Sequence, residues 1–443
     1  MQSNHYECDV IVIGGGVAGL AAAAILARKG KNVRLFEQSH ALGGRAQTKV
    51  QDGFYLNIGP HALYRGGRGI EILRELGVEP RGKVPSVSGA FAVKDGIKHT
   101  FPAGAVSLLT TSLFGLSAKL EAARLLASLS KIDGYRLMSL SVRDWLDENV
   151  SHSEVRDFVL AAFRVATYTN APELMSAGTA IEQLKKAQDK SVLYLDGGWQ
   201  TLVGGLRKAA LEAGVIIETE TRIEAVTRGA PGAVEGVRLA DGRALQASIA
   251  VIAASPSVAA ALVEAAGQTP PASLAQWADE AVPVKAACLD IALSRLPVPR
   301  ATFALGIDRP LYLSVHSAAA RLAPEGAALI HAAKYLAPEH DESSESVERE
   351  LERLLDLIQP GWRDALVYRR FLPDMMVMNA LPLARLDGAR GRPSPQVTEV
   401  PGLYVVGDWV GAEGLLVDAS LASAKQAAEM IAARSASAVG AIV

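Results

Sequence analysis

The chain has 443 residues, more than one ordinary domain needs and enough for two or three with a large core. Apolar residues make up 49% and charged residues 21%, and 45 basic against 47 acidic side chains leave a net charge of −2, which excludes a disordered chain and a general nucleic-acid or polyanion footprint. Two cysteines, Cys8 and Cys288, provide neither a disulfide framework nor a zinc or iron–sulfur ligand set, so no metal is expected and a reducing compartment fits.

The N-terminal stretch up to Asp9 carries no Lys or Arg and lacks the charged start, apolar core and cleavage site of a secretory leader; export is not expected, and a cytoplasmic location follows. Residues 10–27 and 244–263 approach membrane-spanning length without charge. The first is broken by four glycines and the second carries Pro256, so both read as buried strand-turn-helix segments. The run Asp9-Val-Ile-Val-Ile13 predicts a buried strand, residues 17–29 an Ala-rich helix stopped by Gly30, and residues 32–37 a second strand, which together make a right-handed βαβ unit. Residues 80–190 turn helical, with segments at 117–130 and 142–150 and weak strand signals before them. From residue 191 strand and helix signals alternate again: a strand to Leu195, a helix over 199–213, a strand over 215–219, short strands around an Asp241-Gly242 turn, and the apolar run 249–254. Residues 271–395 mix Pro-rich strands with an acidic helical stretch around 341–358, and the chain closes with a strand over 403–406, a glycine loop and a helix over about 420–434.

Gly14-Gly15-Gly16-Val17-Ala18-Gly19 satisfies GxGxxG between the first strand and the first helix. Gly14 permits the tight turn, Gly16 lets the backbone approach a pyrophosphate, Gly19 lets helix pack on strand, and the free N–H groups at Val17 and Ala18 face the anion. Glu37 ends the second strand 18 residues after Gly19, where a carboxylate accepts from both ribose hydroxyls and repels a 2′-phosphate.

Gly43-Gly44-Arg45-Ala46-Gln47-Thr48 follows, and here the chain resembles the flavin-dependent amine oxidase and carotenoid (phytoene) desaturase superfamily. In that superfamily this element crosses the FAD pyrophosphate, with the arginine as planar donor. The segment from Asp52 through Gly59-Pro60-His61 is similar to the one that runs to the flavin ring; Tyr194-Leu-Asp-Gly197-Gly198-Trp199 and the strand reaching Ile223 resemble later elements, the second touching adenine through its main chain. Gly402-Leu-Tyr-Val-Val-Gly407-Asp408 resembles the motif whose aspartate holds the ribityl or phosphate end, and 417–428 the closing helix whose N-terminus faces the flavin. Asp418 and Ala424 stand where glycines are common.

The resemblance implies an α/β protein with a Rossmann-like, discontinuous FAD-binding domain (1–85, 190–270 and 396–443) and an inserted α+β substrate-binding domain (86–189 and 271–395). The implied FAD-binding residues are Gly14, Gly16, Val17, Ala18, Gly19, Glu37, Gln38, Gly43, Gly44, Arg45, Gly59, Pro60, His61, Ile223, Gly407, Asp408, Val417 and Ser420. No cysteine lies near the C-terminal flavin segment, so FAD is expected to be non-covalent. A single dinucleotide fingerprint makes the substrate the electron donor, with oxygen or a quinone as acceptor.

Candidate catalytic residues are His61, next to the ring, with a structural imidazole as the alternative; Tyr64, with a buried aromatic as the alternative; and Lys285, in an apolar strand-like run, with a snorkelling edge-strand lysine as the alternative. Arg369 and Arg370 read as loop residues rather than a carboxylate site. The apolar, amphipathic stretch 101–126 reads as a core helix or as peripheral membrane contact. The expected activity is oxidation of a hydrophobic small molecule by hydride transfer to flavin N5, in the manner of phytoene desaturation. A flavin amine oxidase, or a non-catalytic lipid escort of the GDP-dissociation-inhibitor type, is the alternative.

Overall fold

A computed structural model describes residues 7–440 except 231 and 268, with the side chains of 435–440 left aside; most of the N-terminal stretch on which the leader argument rests lies outside the described residues. The strand Val10–Ile13 is fully buried and sits at the centre of a five-stranded parallel sheet. The order across it is Ile216–Glu218, Val33–Phe36, Val10–Ile13, Ile249–Ile252, Leu403–Val405, with Val10 opposite both Val33 and Ile249. Strands flanked on both faces need apolar residues throughout, which is why these segments read as continuous apolar runs rather than alternating ones.

The helix Val17–Arg28 follows the first strand and packs against Gln200–Glu212 and Val417–Gly440 on one face of the sheet, so that its alanines 21–24 are wholly buried. The other face is covered by the antiparallel strands Ile223–Arg228, Val234–Leu239 and Ala244–Gln246 and by the helix Pro256–Glu264. The result is a discontinuous Rossmann-like layer built from three separate stretches of chain.

A second sheet has seven strands in the order Leu366–Met378, Val284–Leu293, Ala328–Tyr335, Leu311–Val315, Phe303–Gly306, Phe91–Lys94, Ile97–Thr100. The acidic segment forms the helix Ser344–Ile358, whose apolar side packs on one face of this sheet through Val347, Leu351 and Leu354. Beside the sheet lies a helical block that includes Leu116–Ser128, Val142–Asn149, Ser153–Thr167 and Ala177–Lys190; the last two are not resolved by the sequence patterning. The closing helix begins at Val417, three residues earlier than expected, because Leu416 at φ +56° turns the chain into it.

Candidate active site

Two cavities meet near the centre of the molecule. The first, of about 810 Å³, follows the C-terminal ends of the parallel strands and is lined by the glycine turn, Glu37, Arg45, His61, Ile223 and Asp408 among others. Gly14 holds φ +108°, and a Cβ on Gly19 would stand 1.9 Å from the Gly14 carbonyl oxygen, so turn and helix touch through these two glycines. Around Gly16, by contrast, nothing lies within 4 Å of where a Cβ would be. Gly16 is also the N-cap of Val17–Arg28, which has no side-chain cap and no acidic residue in its first turn. An open cradle beneath uncapped N–H groups is what a pyrophosphate requires.

Sixteen of the eighteen implied FAD residues line this cavity, and Gly19 and Gly59 do not. Gly19 serves the packing just described. Gly59, at φ +72°, faces the Met375 thioether, with a Cβ only 2.4 Å from its sulfur. Both Glu37 oxygens accept backbone N–H groups, Oε2 from Gly15 at 2.7 Å and Oε1 from Ser39 at 2.8 Å, which aims the carboxylate along the cavity floor. Arg45 Nη1 donates to Asp408 Oδ2 at 2.6 Å and to the Val377 carbonyl at 2.8 Å.

Two residues that sequence reasoning missed hold Asp408. Asn379 donates to it from its backbone N–H at 3.2 Å and from Nδ2 at 2.8 Å, and buried Arg392 donates to its carbonyl at 2.9 Å and to that of Gly414 at 2.5 Å. Neither sits in a motif, so no local signal marks them.

The candidate catalytic residues separate. His61 lines the first cavity, but Nδ1 lies 3.1 Å from the Gly59 carbonyl and Nε2 3.1 Å from the Arg45 carbonyl, and its ring meets Trp199 edge-on at 4.8 Å. Burial pushes its pKa down to about 4, against the raising effect of the two carbonyls. As a neutral imidazole it carries one N–H, so it donates to one of these carbonyls and its other nitrogen only faces the second. Tyr64 donates to the Ala166 carbonyl at 2.9 Å and lines the second cavity.

Lys285 requires a correction: it lines neither cavity and pairs with Asp374 at 2.8 Å. Its strand Val284–Leu293 is interior to the sheet, not at an edge, so the snorkelling alternative also fails as stated. Arg370 is no loop residue either. It lies on a strand and holds buried Asp290 at 2.5 Å, while Arg369 pairs on the surface with Glu348 and Glu352.

Asp290 also receives His331 Nδ1 at 2.5 Å and the Cys288 thiol at 3.2 Å. Cys288, Asp290 and His331 thus converge as no sequence spacing suggested, but the Arg370 guanidinium already balances the carboxylate, and burial keeps the thiol protonated.

The second cavity, of about 1030 Å³, is bounded by the seven-stranded sheet and the helical block. Ala62 and Tyr168 line both cavities and form the junction. Tyr168 caps the helix Ser153–Thr167 at φ +60°, a left-handed conformation that costs a non-glycine residue roughly 1–3 kcal/mol, and its hydroxyl donates to the Pro60 carbonyl at 3.2 Å. Most of the lining is aliphatic or aromatic. Arg300, exposed, is its one charged side chain, and no carboxylate is present among the described residues.

A Rossmann-type sheet with an uncapped glycine turn and an acid at the end of the second strand defines a dinucleotide-binding class of fold, here with an adjoining apolar chamber. The chain belongs to the family of flavin-containing amine oxidoreductases, whose model it matches over residues 17–432, and its cofactor is FAD.

Among curated relatives, the putrescine oxidase of Kocuria rosea is 30% identical over 168 residues, 34% of each chain. The 4,4'-diaponeurosporene oxygenase of Staphylococcus aureus (strain bovine RF122 / ET3-1) is 22% identical over 276 residues, 54% of each. The chain thus spans between about a third and a half of the length of these relatives. A crystal structure of an oxidoreductase from Methanosarcina mazei shares the fold with a TM-score of 0.73 and 20% identity, covering 96% of this chain and 99% of that one.

Proposed function

We propose that the protein oxidises an uncharged, hydrophobic small molecule by removing two hydrogens, a desaturation, with FAD held non-covalently by residues 1–85, 190–270 and 396–443 and the substrate by residues 86–189 and 271–395. The observation that carries this reading is the larger cavity: apolar, free of carboxylates among the described residues, and joined to the FAD cavity at Ala62 and Tyr168. When bound, FAD supplies the two-electron acceptor. The residues of this chain do the rest. The first turn of Val17–Arg28 and Arg45 bind the pyrophosphate, Glu37 the ribose, and Asp408, steadied by Asn379 and Arg392, the ribityl end. Tyr168 holds the passage between the chambers, and neutral His61 donates its one N–H to the carbonyl of Gly59 or of Arg45 and packs edge-on against Trp199. The aromatic and aliphatic wall excludes water and orients the reacting bond.

Amine oxidation is the second reading, favoured by the family and by the putrescine oxidase relative. A cationic amine, however, would enter a chamber with no anionic partner, a costly burial. Oxygen or a quinone serves as the final acceptor. No described helix is long and apolar enough to cross a membrane. The helices Ala105–Thr110 and Leu116–Ser128 expose Val106, Leu109, Leu116 and Leu120 while Leu125 and Leu126 line the cavity, which supports peripheral lipid contact beside the substrate chamber.

Anaerobic titration of the holoprotein against pools of neutral lipids and of amines, followed by bleaching of the visible flavin band, tests the reading. Bleaching by neutral lipids supports it; bleaching by amines alone replaces it with the second.

A further inference from the structure

One wall of the larger cavity departs from its apolar character. The strand Leu311–Val315 alternates apolar and polar residues, and the period of two sends Leu311 and Leu313 into the core beneath the helix Ser344–Ile358 and Tyr312 and Ser314 to the opposite face, while Val315 at the strand end packs in that core and also borders the cavity. On an antiparallel sheet such a polar face ordinarily meets water. Here it is buried: Ser314 is 2% exposed, Tyr312 5% and His316 1%.

The polar groups form a chain. Tyr194 Oη lies 3.2 Å from Ser314 Oγ and 3.1 Å from Tyr312 Oη, and Tyr312 Oη lies 3.2 Å from His316 Nε2. Tyr194 also stacks on His316 with ring centroids 3.8 Å apart and 13° between planes. Tyr194, Tyr312 and Ser314 line the cavity. Burial holds His316 well below the usual imidazole range and the two tyrosines above theirs, so every member is neutral.

Counting hydrogens shows what such a chain can offer. A neutral imidazole carries one N–H. With the proton on Nε2, His316 donates to Tyr312, Tyr312 to Tyr194 and Tyr194 to Ser314, which leaves the Ser314 hydroxyl hydrogen free for the cavity. With the proton on Nδ1, every bond reverses and Ser314 presents lone pairs alone. His316 Nδ1 has no partner in either case, so the protein does not itself select a direction. A wall able to give or to accept one hydrogen bond, without charge, matches one kind of group.

We propose that Tyr194, Tyr312 and Ser314 form a subsite for a neutral oxygen function, a hydroxyl or a carbonyl, on an otherwise apolar substrate, with His316 as a positioning residue whose tautomer adjusts to the group bound. The inference rests on the apolar-substrate reading and narrows it: a plain hydrocarbon leaves the Ser314 end of the chain without a partner on the cavity side, whereas an alcohol, aldehyde or ketone supplies one.

The test is calorimetric titration of the oxidised holoenzyme with three probes of one skeleton: farnesol, farnesal and farnesene. The wild-type protein is expected to bind the alcohol and the aldehyde about tenfold tighter than the hydrocarbon. Ser314→Ala and Tyr312→Phe are expected to lose that preference while binding farnesene as before, with an unchanged flavin spectrum as the check on folding. Because a tyrosine in the chain also supports packing, Ser314→Ala is the deciding variant. Equal binding of all three probes by the wild type, or variants that weaken farnesene as much as farnesol, overturns the subsite and leaves the apolar chamber standing. Failure of the wild type to bind any of the three overturns both.

Discussion

Arg45 and Asp408 lie 363 residues apart in the chain and meet at 2.6 Å, tying the second glycine motif to the last one across the mouth of the dinucleotide cavity. Asp408 is 2% exposed and Arg45 39%, so the carboxylate is the buried partner and the guanidinium reaches into the cavity from it. The contact joins two distant parts of the sequence that both line this cavity.

Replacing Asp408 by Asn keeps the shape and removes the charge that holds both Arg45 and Asn379. Charge-assisted hydrogen bonds contribute about 1.5–3 kcal/mol each, so FAD affinity is expected to fall at least tenfold. Flavin-to-protein ratios after exhaustive dialysis report this directly. Full flavin retention would remove Asp408 from the proposed frame.

The two glycines of the turn are expected to fail differently. Gly16→Ala fills an open cradle without touching protein, so the apoprotein keeps its melting temperature while FAD no longer raises it. Gly19→Ala drives a Cβ to 1.9 Å from the Gly14 carbonyl and is expected to yield insoluble or unfolded protein. Thermal melts with and without added FAD separate the cases, and an FAD-stabilised Gly16→Ala protein argues against the pyrophosphate cradle.

Asp418 accepts from the Gly69 N–H at 3.0 Å through Oδ1, leaves Oδ2 without a partner, and is pushed up to about 6 by burial. Its pKa when folded lies above the unfolded value of 3.8. The carboxyl therefore favours the folded state fully below pH 3.8 and loses that contribution, about 3 kcal/mol, as pH rises through 6. Asp418→Asn keeps the acceptor and drops the charge, so it is expected to raise the melting temperature by a few degrees at pH 8 and hardly at all at pH 4. A difference of equal size at both pH values contradicts the assignment.

His61 carries the opposite slope. Its folded pKa of about 4 lies below the ordinary 6.5, so stability is complete above 6.5 and about 3 kcal/mol is lost as pH falls toward 4 and below. Chemical denaturation at pH 7 and pH 4.5 is expected to show this acid limb in the wild type and a shallower one in His61→Phe, which keeps an aromatic edge on Trp199. The oxidation rate is expected to show no inflection near pH 6.5 from this residue, because it stays neutral throughout that range.

Legibility followed locality. Gly14 and Gly43 take positive φ in turns whose form depends on a few neighbouring residues, and such turns leave their signature in the sequence. The strand ending at Ile13 was legible for the same reason, whereas the start of the closing helix at Val417 was read three residues late. The buried row Arg370, Asp290, His331, Ser314 was not: these residues sit directly opposite one another on four neighbouring strands, and their register is set by sheet pairing rather than by any motif. Arg370 accordingly looked like a loop residue and Lys285 like a catalytic candidate. The alternating run from Leu311 to His316 did carry a signal, since a polar face on a strand that ends up dry points to a cavity, but burial of that face is a property of the packed sheet.

By itself the sequence determined the βαβ glycine turn, the acid at Glu37 and the separated glycine-rich elements that line the first cavity, because each depends on backbone conformation within a short window. Only the tertiary structure decided that Arg45 reaches Asp408, that His61 is pinned between two carbonyls, and that a neutral apolar chamber adjoins the flavin cavity at Ala62 and Tyr168. Those outcomes depend on how sheets register and pack over hundreds of residues, and desolvation, which sets the charge state of every group in the two chambers, exists only once that packing is complete.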